Sequence, residues 1–225
     1  MTYQLYIGDR TFSSWSLRGW LMLEKFNLPH DVNMVGLYSG SMQADLAHLR
    51  PARTVPVLQT SAGHVVTDSL AMAETLVEEN PNVNLYPFDP AARALARSIT
   101  AEMHSGFMGI RSACPMNIDA FLPEIGALAL RDKEALRNDL KRIDHLFSSL
   151  LQEHKGPMLF GEFSIPDAYF SPVVMRIKTY ALPVSSDTQA YIDRLCAMPG
   201  VKAWIEGALA EKDFIDFEEP FRTKP

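Results

Sequence analysis

The feature that most constrains this chain is the stretch Asn80–Pro90, NPNVNLYPFDP, with three prolines and three asparagines and no hydrophobic period. Proline lacks the amide a helix or central strand needs, so neither element runs through such a segment. The two sides of it read differently. Before it, Tyr3–Ile7 alternates and is rich in β-formers, so it predicts a strand. Leu17, Trp20, Leu21, Leu23 and Phe26 then repeat at helical intervals, from about Ser14 until Asn27-Leu28-Pro29. His30–Val35 reads as a second strand, Gly36–Gly40 as a loop, and Ser41–Leu49 as a short polar helix or turn. Val55–Leu58 and His64–Val66 flank the turn-like Ser61-Ala62-Gly63 and predict a hairpin, after which Asp68 and Ser69 open a helix ending at Asn80-Pro81. The order β-α-β-α-β-β-α within one unit implies a layered α/β fold.

After the linker, strand signals nearly vanish. Leu95, Ile99, Met103 and Phe107 step at helical spacing, as do Leu136, Leu140, Ile143, Phe147 and Leu150. Further helices are expected over about 165–180, 187–197 and 201–210. The second half therefore reads as all-α. We place the divide between residues 1–80 and 88–225.

Composition narrows the function. A net charge of −6 and a pI near 5.5 disfavour nucleic acid or an anionic membrane as the main partner. No stretch approaches the roughly 18 apolar residues of a membrane span, and the start, MTYQLYIGDR, lacks the pattern of a signal peptide. Cys114 and Cys196, the two cysteines, match no metal or redox spacing. That usage fits a reducing, cytoplasmic setting, and no metal is expected.

Three places can carry chemistry. Ser13, Ser14 and Ser16 stand where a strand and a short loop lead into a helix. Serine there is ordinarily an N-cap. The same helix start, with free N–H groups and a positive dipole end, also suits an anion such as a thiolate. No Gly-x-Ser-x-Gly elbow surrounds the serines, so a hydroxyl that donates to another molecule's anion is the better reading. Pro56 heads the apolar Val55–Leu58 run, and the backbone of Val55 can pair with an extended peptide. Asp68 and Ser69 can cap their helix, or take the ammonium and carboxylate of an amino-acid group.

In this order and at these separations, the three motifs resemble the glutathione transferase superfamily, and the resemblance covers nearly the whole chain. Ser13-Ser14-Trp15-Ser16 looks like the serine-type motif of zeta-like and related bacterial members, where thioredoxin relatives carry Cys-x-x-Cys. Val55-Pro56 looks like the superfamily's pair with a cis proline, and Asp68-Ser69-Leu70-Ala71 like its Glu/Gln-Ser-x-Ala signature. Ser164 and Asp167 look like the capping box of the helical domain and are read as structural.

The resemblance implies a thioredoxin-like N-terminal domain that binds glutathione and an all-helical C-terminal domain for the second substrate. It also implies a homodimer and a role in detoxification. Ser13, or alternatively Ser14, would hold the glutathione thiolate for attack on a largely apolar electrophile. Arg53, Val55, Pro56, Asp68 and Ser69 would bind the rest of the peptide. His104, Phe107, Met108 and Arg111, on one helix spanning Glu102–Asn117, would face the second substrate between the domains. Phe107, Met108 and His104 also suit a core, whereas Arg111 in an apolar helix must pair with an acid or meet an anion. The first loop has neither the tyrosine of tyrosine-type members nor the cysteine a thiol reductase or dehydroascorbate reductase needs. Trp15 replaces the cysteine usual in zeta members, and Gly19-Trp20 also departs from them. Alternatives are a zeta-type maleylacetoacetate isomerase and a non-catalytic member of the fold.

Overall fold

Strand β1 (Tyr3–Ile7) buries Tyr3, Leu5 and Ile7 while Gln4 and Tyr6 stay half-buried, the period of two expected of a pleated strand. In the computed structural model, which describes residues 2–211 and 214–222, β1 lies inside a four-stranded sheet of order β2-β1-β3-β4. It runs parallel to β2 (His30–Met34) and antiparallel to β3 (Val57–Gln59), which pairs in turn with β4 (Val65–Val66). This is the thioredoxin-like βαβαββα arrangement. Helices α1 (Ser14–Glu24) and α3 (Ser69–Glu79) share one large core with the sheet. A smaller cluster, Val35, Leu46, Leu49, Val55 and Val57, packs beside the short α2 (Met42–Asp45).

Seven helices follow: α4 (Pro90–Ser105), α5 (Met108–Ala113), α6 (Pro123–Asp132), α7 (Glu134–His154), α8 (Ile165–Thr179), α9 (Ser186–Ala197) and α10 (Pro199–Glu211). Helix α8 is buried at every position except Lys178 and packs against both α1 and α4, so it joins the two halves. Its start is fixed by the capping box expected from the sequence. Asp167 accepts hydrogen bonds from Ser164 N (2.8 Å) and Ser164 Oγ (3.1 Å), and from Leu159 N (3.2 Å) and Tyr191 Oη (3.0 Å).

Two expectations are corrected. The single helix expected through Glu102–Asn117 is broken. Gly106 is extended and Phe107 left-handed (φ 57°), and the chain restarts as α5. The spacing from Leu95 to Phe107 continues across the break because Phe107 still enters the core, against Phe170. Arg111 closes the end of α4, its Nη2 donating to the carbonyls of Met103 and His104. The second correction is α6, which the apolar spacing did not single out; of its residues only Gly126 is fully buried. In the Ser41–Leu49 segment four residues, Met42–Asp45, are helical and a turn follows.

Candidate functional site

The site begins where β1 hands over to α1. Asp9 Oδ1 accepts from the amides of Thr11 (2.8 Å) and Phe12 (3.0 Å) and folds the intervening loop. Ser13 is the N-cap of α1: its Oγ takes the Ser16 amide at 3.4 Å and donates to Ser16 Oγ at 2.7 Å. Ser16 Oγ in turn accepts the Gly8 amide at 3.0 Å. The Ser13 proton is thus used within the chain, tying loop to helix. Ser14, the first helical residue, is buried, and its hydroxyl makes no hydrogen bond among the described residues. Ser14 and the fully buried Ser16 both keep a proton that no described residue accepts, since Ser16 Oγ only receives hydrogen bonds.

Next to this helix start a cleft of about 460 Å³ opens between the two halves. Trp15 lines it from α1, Thr54, Val55 and Pro56 from the approach to β3, Thr67, Asp68 and Ser69 from the head of α3, and His104 and Ser105 from α4. Parts of three separate sequence motifs therefore meet at one place, the serine motif through Trp15, while Ser13, Ser14 and Arg111 stand outside the cleft lining. The Val55–Pro56 peptide is cis, and the N–H and C=O of Val55 form no hydrogen bond among the described residues. They are free to pair with an extended backbone. Asp68 caps α3, accepting from Leu70 N (2.7 Å) and Ala71 N (3.2 Å), with its second oxygen 3.5 Å from His104 Nε2. Ser69 Oγ accepts a hydrogen bond from Tyr169 Oη at 2.9 Å, which leaves the Ser69 proton and the helix-start amide to serve an anion.

Behind the cleft wall lies a cluster the sequence reasoning did not anticipate. The Trp15 ring has the Arg18 guanidinium carbon 4.3 Å from its centroid and that of Arg111 at 4.9 Å, with the His104 ring at 5.2 Å. Arg18 is 1 % exposed and donates Nε to the Tyr169 carbonyl at 3.0 Å. Its Nη1, Arg111 Nε and His104 Nδ1 are buried, with no partner among the described residues. Burial, and then the charge of Arg111, holds Arg18 well below its ordinary pKa. Burial lowers Arg111 as well, against the pull of Asp139. The argument that made Arg111 conspicuous, a charge inside an apolar helix, applied equally to Arg18 in α1. It was the available signal.

The remaining candidates fall elsewhere. Arg53 is exposed and stands two residues before Val55, outside the cleft lining. Phe107 is buried in the helical core, and Met108 is 62 % exposed and lines none of the cleft. Cys114 is buried, and desolvation pushes its thiol up to about 12, which suits a small apolar role. Among the described residues no group of histidine, cysteine and carboxylate side chains can hold a metal, and no helix is long and apolar enough to cross a membrane.

A sheet of this order, a cis-proline loop and a capped α3 converging on the start of α1 define a thioredoxin-like domain, here followed by an all-helical one. The family model described as "Glutathione S-transferase, N-terminal domain" matches residues 12–79. The chain is 29% identical over 182 residues to a probable maleylacetoacetate isomerase of Caenorhabditis elegans, covering 80% of this chain and 81% of that protein. It is 24% identical over 221 residues to the omega-1 glutathione S-transferase of Rattus norvegicus, covering 95% and 81%. Among solved structures, a Burkholderia glutathione transferase homolog with bound glutathione superposes with a TM-score of 0.67 at 24% identity, covering 92% of this chain and 98% of that one. A diazinon-metabolizing glutathione S-transferase of the silkworm Bombyx mori gives 0.71 at 18%, covering 94% and 98%. Residues 12–79 thus match the glutathione S-transferase N-terminal domain, and along most of its length the chain is similar to proteins of that superfamily.

Proposed function

We propose that the chain is a glutathione-dependent transferase whose cleft binds glutathione and presents its thiolate to an electrophile. The observation that carries this reading is the meeting of Val55, with its free backbone, Asp68 and Ser69 beside the start of α1. In the proposed pose the cysteinyl backbone pairs with Val55 beside Pro56. The γ-glutamyl carboxylate takes the hydroxyl and the amide of Ser69, and its ammonium takes Asp68. This arrangement sends the thiol toward the N-terminus of α1. A free thiol has a pKa near 8.5 and is mostly protonated at neutral pH. A hydroxyl donor and the positive end of α1 favour the anion, and the proton leaves to water. The thiolate then attacks an electrophilic carbon, forming the C–S bond as the leaving group departs.

Ser14 is the donor we favour, because Ser13 already spends its proton on Ser16 and Ser16 is fully buried. A hydrogen bond to a charged group contributes about 1.5–3 kcal/mol, or about 1–2 pKa units. Ultraviolet titration of enzyme-bound glutathione tests this. The wild-type protein should lower the thiol pKa, and Ser14→Ala should raise it again by about one unit. Failure to bind glutathione, or a bound thiol with its solution pKa, would sink the reading. The same resemblance carries a glutathione-binding half through residue 80, a substrate half from residue 88, and a homodimer in the cytoplasm.

A second reading is cis-trans isomerisation, in which the C–S bond forms, the adduct rotates and the bond breaks. The Caenorhabditis elegans relative, named as a probable maleylacetoacetate isomerase, supports it. Isomerisation leaves glutathione unconsumed, whereas conjugation depletes it.

A further inference from the structure

Arg18 is a cation in a place that ordinarily forbids one, and the half-buried Arg111 stands beside it. Arg18 is 1 % exposed, and neither guanidinium forms an ion pair with a carboxylate among the described residues. A buried charge without a counter-charge is costly and persists where something requires it. A third cation, Arg176 of α8, lies close enough to feel Arg111 and is itself buried, its Nε bonded to the Cys114 carbonyl at 2.9 Å. The positive charges therefore repel one another, and a ligand anion is the missing partner.

We propose that Arg18 and Arg111, acting through the Trp15 ring that separates them from the cleft, supply much of the positive potential that ionises the glutathione thiol. The proposal rests on the reading of the cleft as a glutathione site. Both guanidinium carbons lie within 5 Å of the Trp15 ring centroid, at 4.3 and 4.9 Å, and Trp15 lines the cleft at the first turn of α1. A sulfur in contact with that ring, about 4 Å from it, stands within about 10 Å of both charges. In a medium of effective dielectric about 20, each unit charge at that range shifts a pKa by about one unit. Arg18 and Arg111 are thus positioning and electrostatic residues rather than catalytic ones, since the ring keeps them off the sulfur.

The other groups facing Trp15 fit this assignment. His104 of α4 stands edge-to-face with Trp15, its Nε2 3.5 Å from Asp68 Oδ2. Asp68, at the head of α3, is the acid that lines the cleft, and the proposed pose neutralises it with the γ-glutamyl ammonium. Tyr169 of α8 gives its carbonyl to Arg18 and its hydroxyl to Ser69. Asp139 of α7 spends an oxygen on the Ile110 amide at 3.0 Å and only partly offsets Arg111.

The test is the pKa of glutathione bound to the full chain, read by thiolate absorbance, in wild type, Arg18→Met, Arg111→Met and Arg111→Lys. Each methionine variant should make the bound thiol about tenfold weaker as an acid, a rise of about one unit, with Arg111→Lys restoring most of it. Arg18→Met should also hold or raise the melting temperature, because an apolar side chain replaces an unpaired buried charge. A merely structural arginine would do the reverse, lowering the melting temperature and leaving the thiol alone. Arg111→Met also removes the closure of α4, so Arg18→Met decides the matter if that variant does not fold. The proposal is overturned if the wild-type protein lowers the thiol pKa and both methionine variants keep it low. It is overturned too if they change only the KM of a carboxylate-bearing electrophile relative to a neutral one, which would make the cluster a substrate-anion site. If the wild-type protein leaves the thiol unperturbed, the glutathione reading fails first.

Discussion

Replacing Asp167 by alanine removes the acceptor for four donors at the point where the helical half is pinned together. Two are backbone amides, Ser164 N and Leu159 N, and one is the hydroxyl of fully buried Tyr191; none of these three can turn to solvent. The fourth, the Ser164 hydroxyl, can rotate. An orphaned buried donor costs about 1–3 kcal/mol, and relief of the buried charge offsets part of the total, so a net loss of about 4 kcal/mol is expected. That is a large share of the roughly 5–15 kcal/mol of a typical domain. In urea, with a slope of about 2–3 kcal/mol/M, the unfolding midpoint should drop by about 1.5 M. Near-ultraviolet dichroism of the buried tyrosines is a suitable probe.

The loss should also depend on pH. Burial pushes the Asp167 carboxyl up to about 6 although four donors pull it down. A carboxyl whose folded pKa lies above its unfolded value holds its proton more tightly in the folded state. Its stabilising contribution is present in full below about pH 4 and fades as the pH rises through 6, a swing of about 3 kcal/mol. The alanine variant lacks that swing, so it should fall further behind wild type at pH 5 than at pH 8. A difference under about 1 kcal/mol at pH 7 would refute the role given to these bonds. A deficit that grows with pH would show that the donors outweigh burial and that the folded carboxylate is the favoured form.

Two further substitutions address the cleft. A methyl group on Gly19 would meet Pro56 Cβ and Cγ at 3.0 Å and Met72 Cε at 3.1 Å. Gly19→Ala should therefore displace the Pro56 loop, costing about 1–2 kcal/mol in thermal unfolding and raising the KM for glutathione several-fold; an unchanged KM would show that the loop does not position the peptide. Asp68→Asn keeps a good N-cap and loses only the charge, so stability should hold within about 0.5 kcal/mol while glutathione affinity, measured calorimetrically, falls about tenfold. Equal affinities would remove Asp68 from the ammonium site.

Local physics wrote much of this protein legibly. Alternation in Tyr3–Ile7, the prolines of Asn80–Pro90, the Asp68 cap and the Ser164–Asp167 box all appear as read, because each depends on neighbours within a few residues. Three sequence motifs marked the cleft for the same reason, as a strand start and two helix starts. What the local pattern does not carry is how a side chain divides its hydrogen bonds or whom it meets across the fold. Three adjacent serines are alike until the loop geometry commits Ser13 to Ser16 and leaves Ser14 unbonded. The helical spacing through Phe107 hides a break, since the core takes Phe107 equally well from a left-handed residue. Tyr169 reaches Ser69 from 100 positions away, and Arg18 becomes a buried cation only because α8 closes over α1. Sequence determined the elements, their caps and the chemistry at their ends. The packing of the helical half on the first domain decided which of those groups are buried, which stay unpaired and which face the cleft.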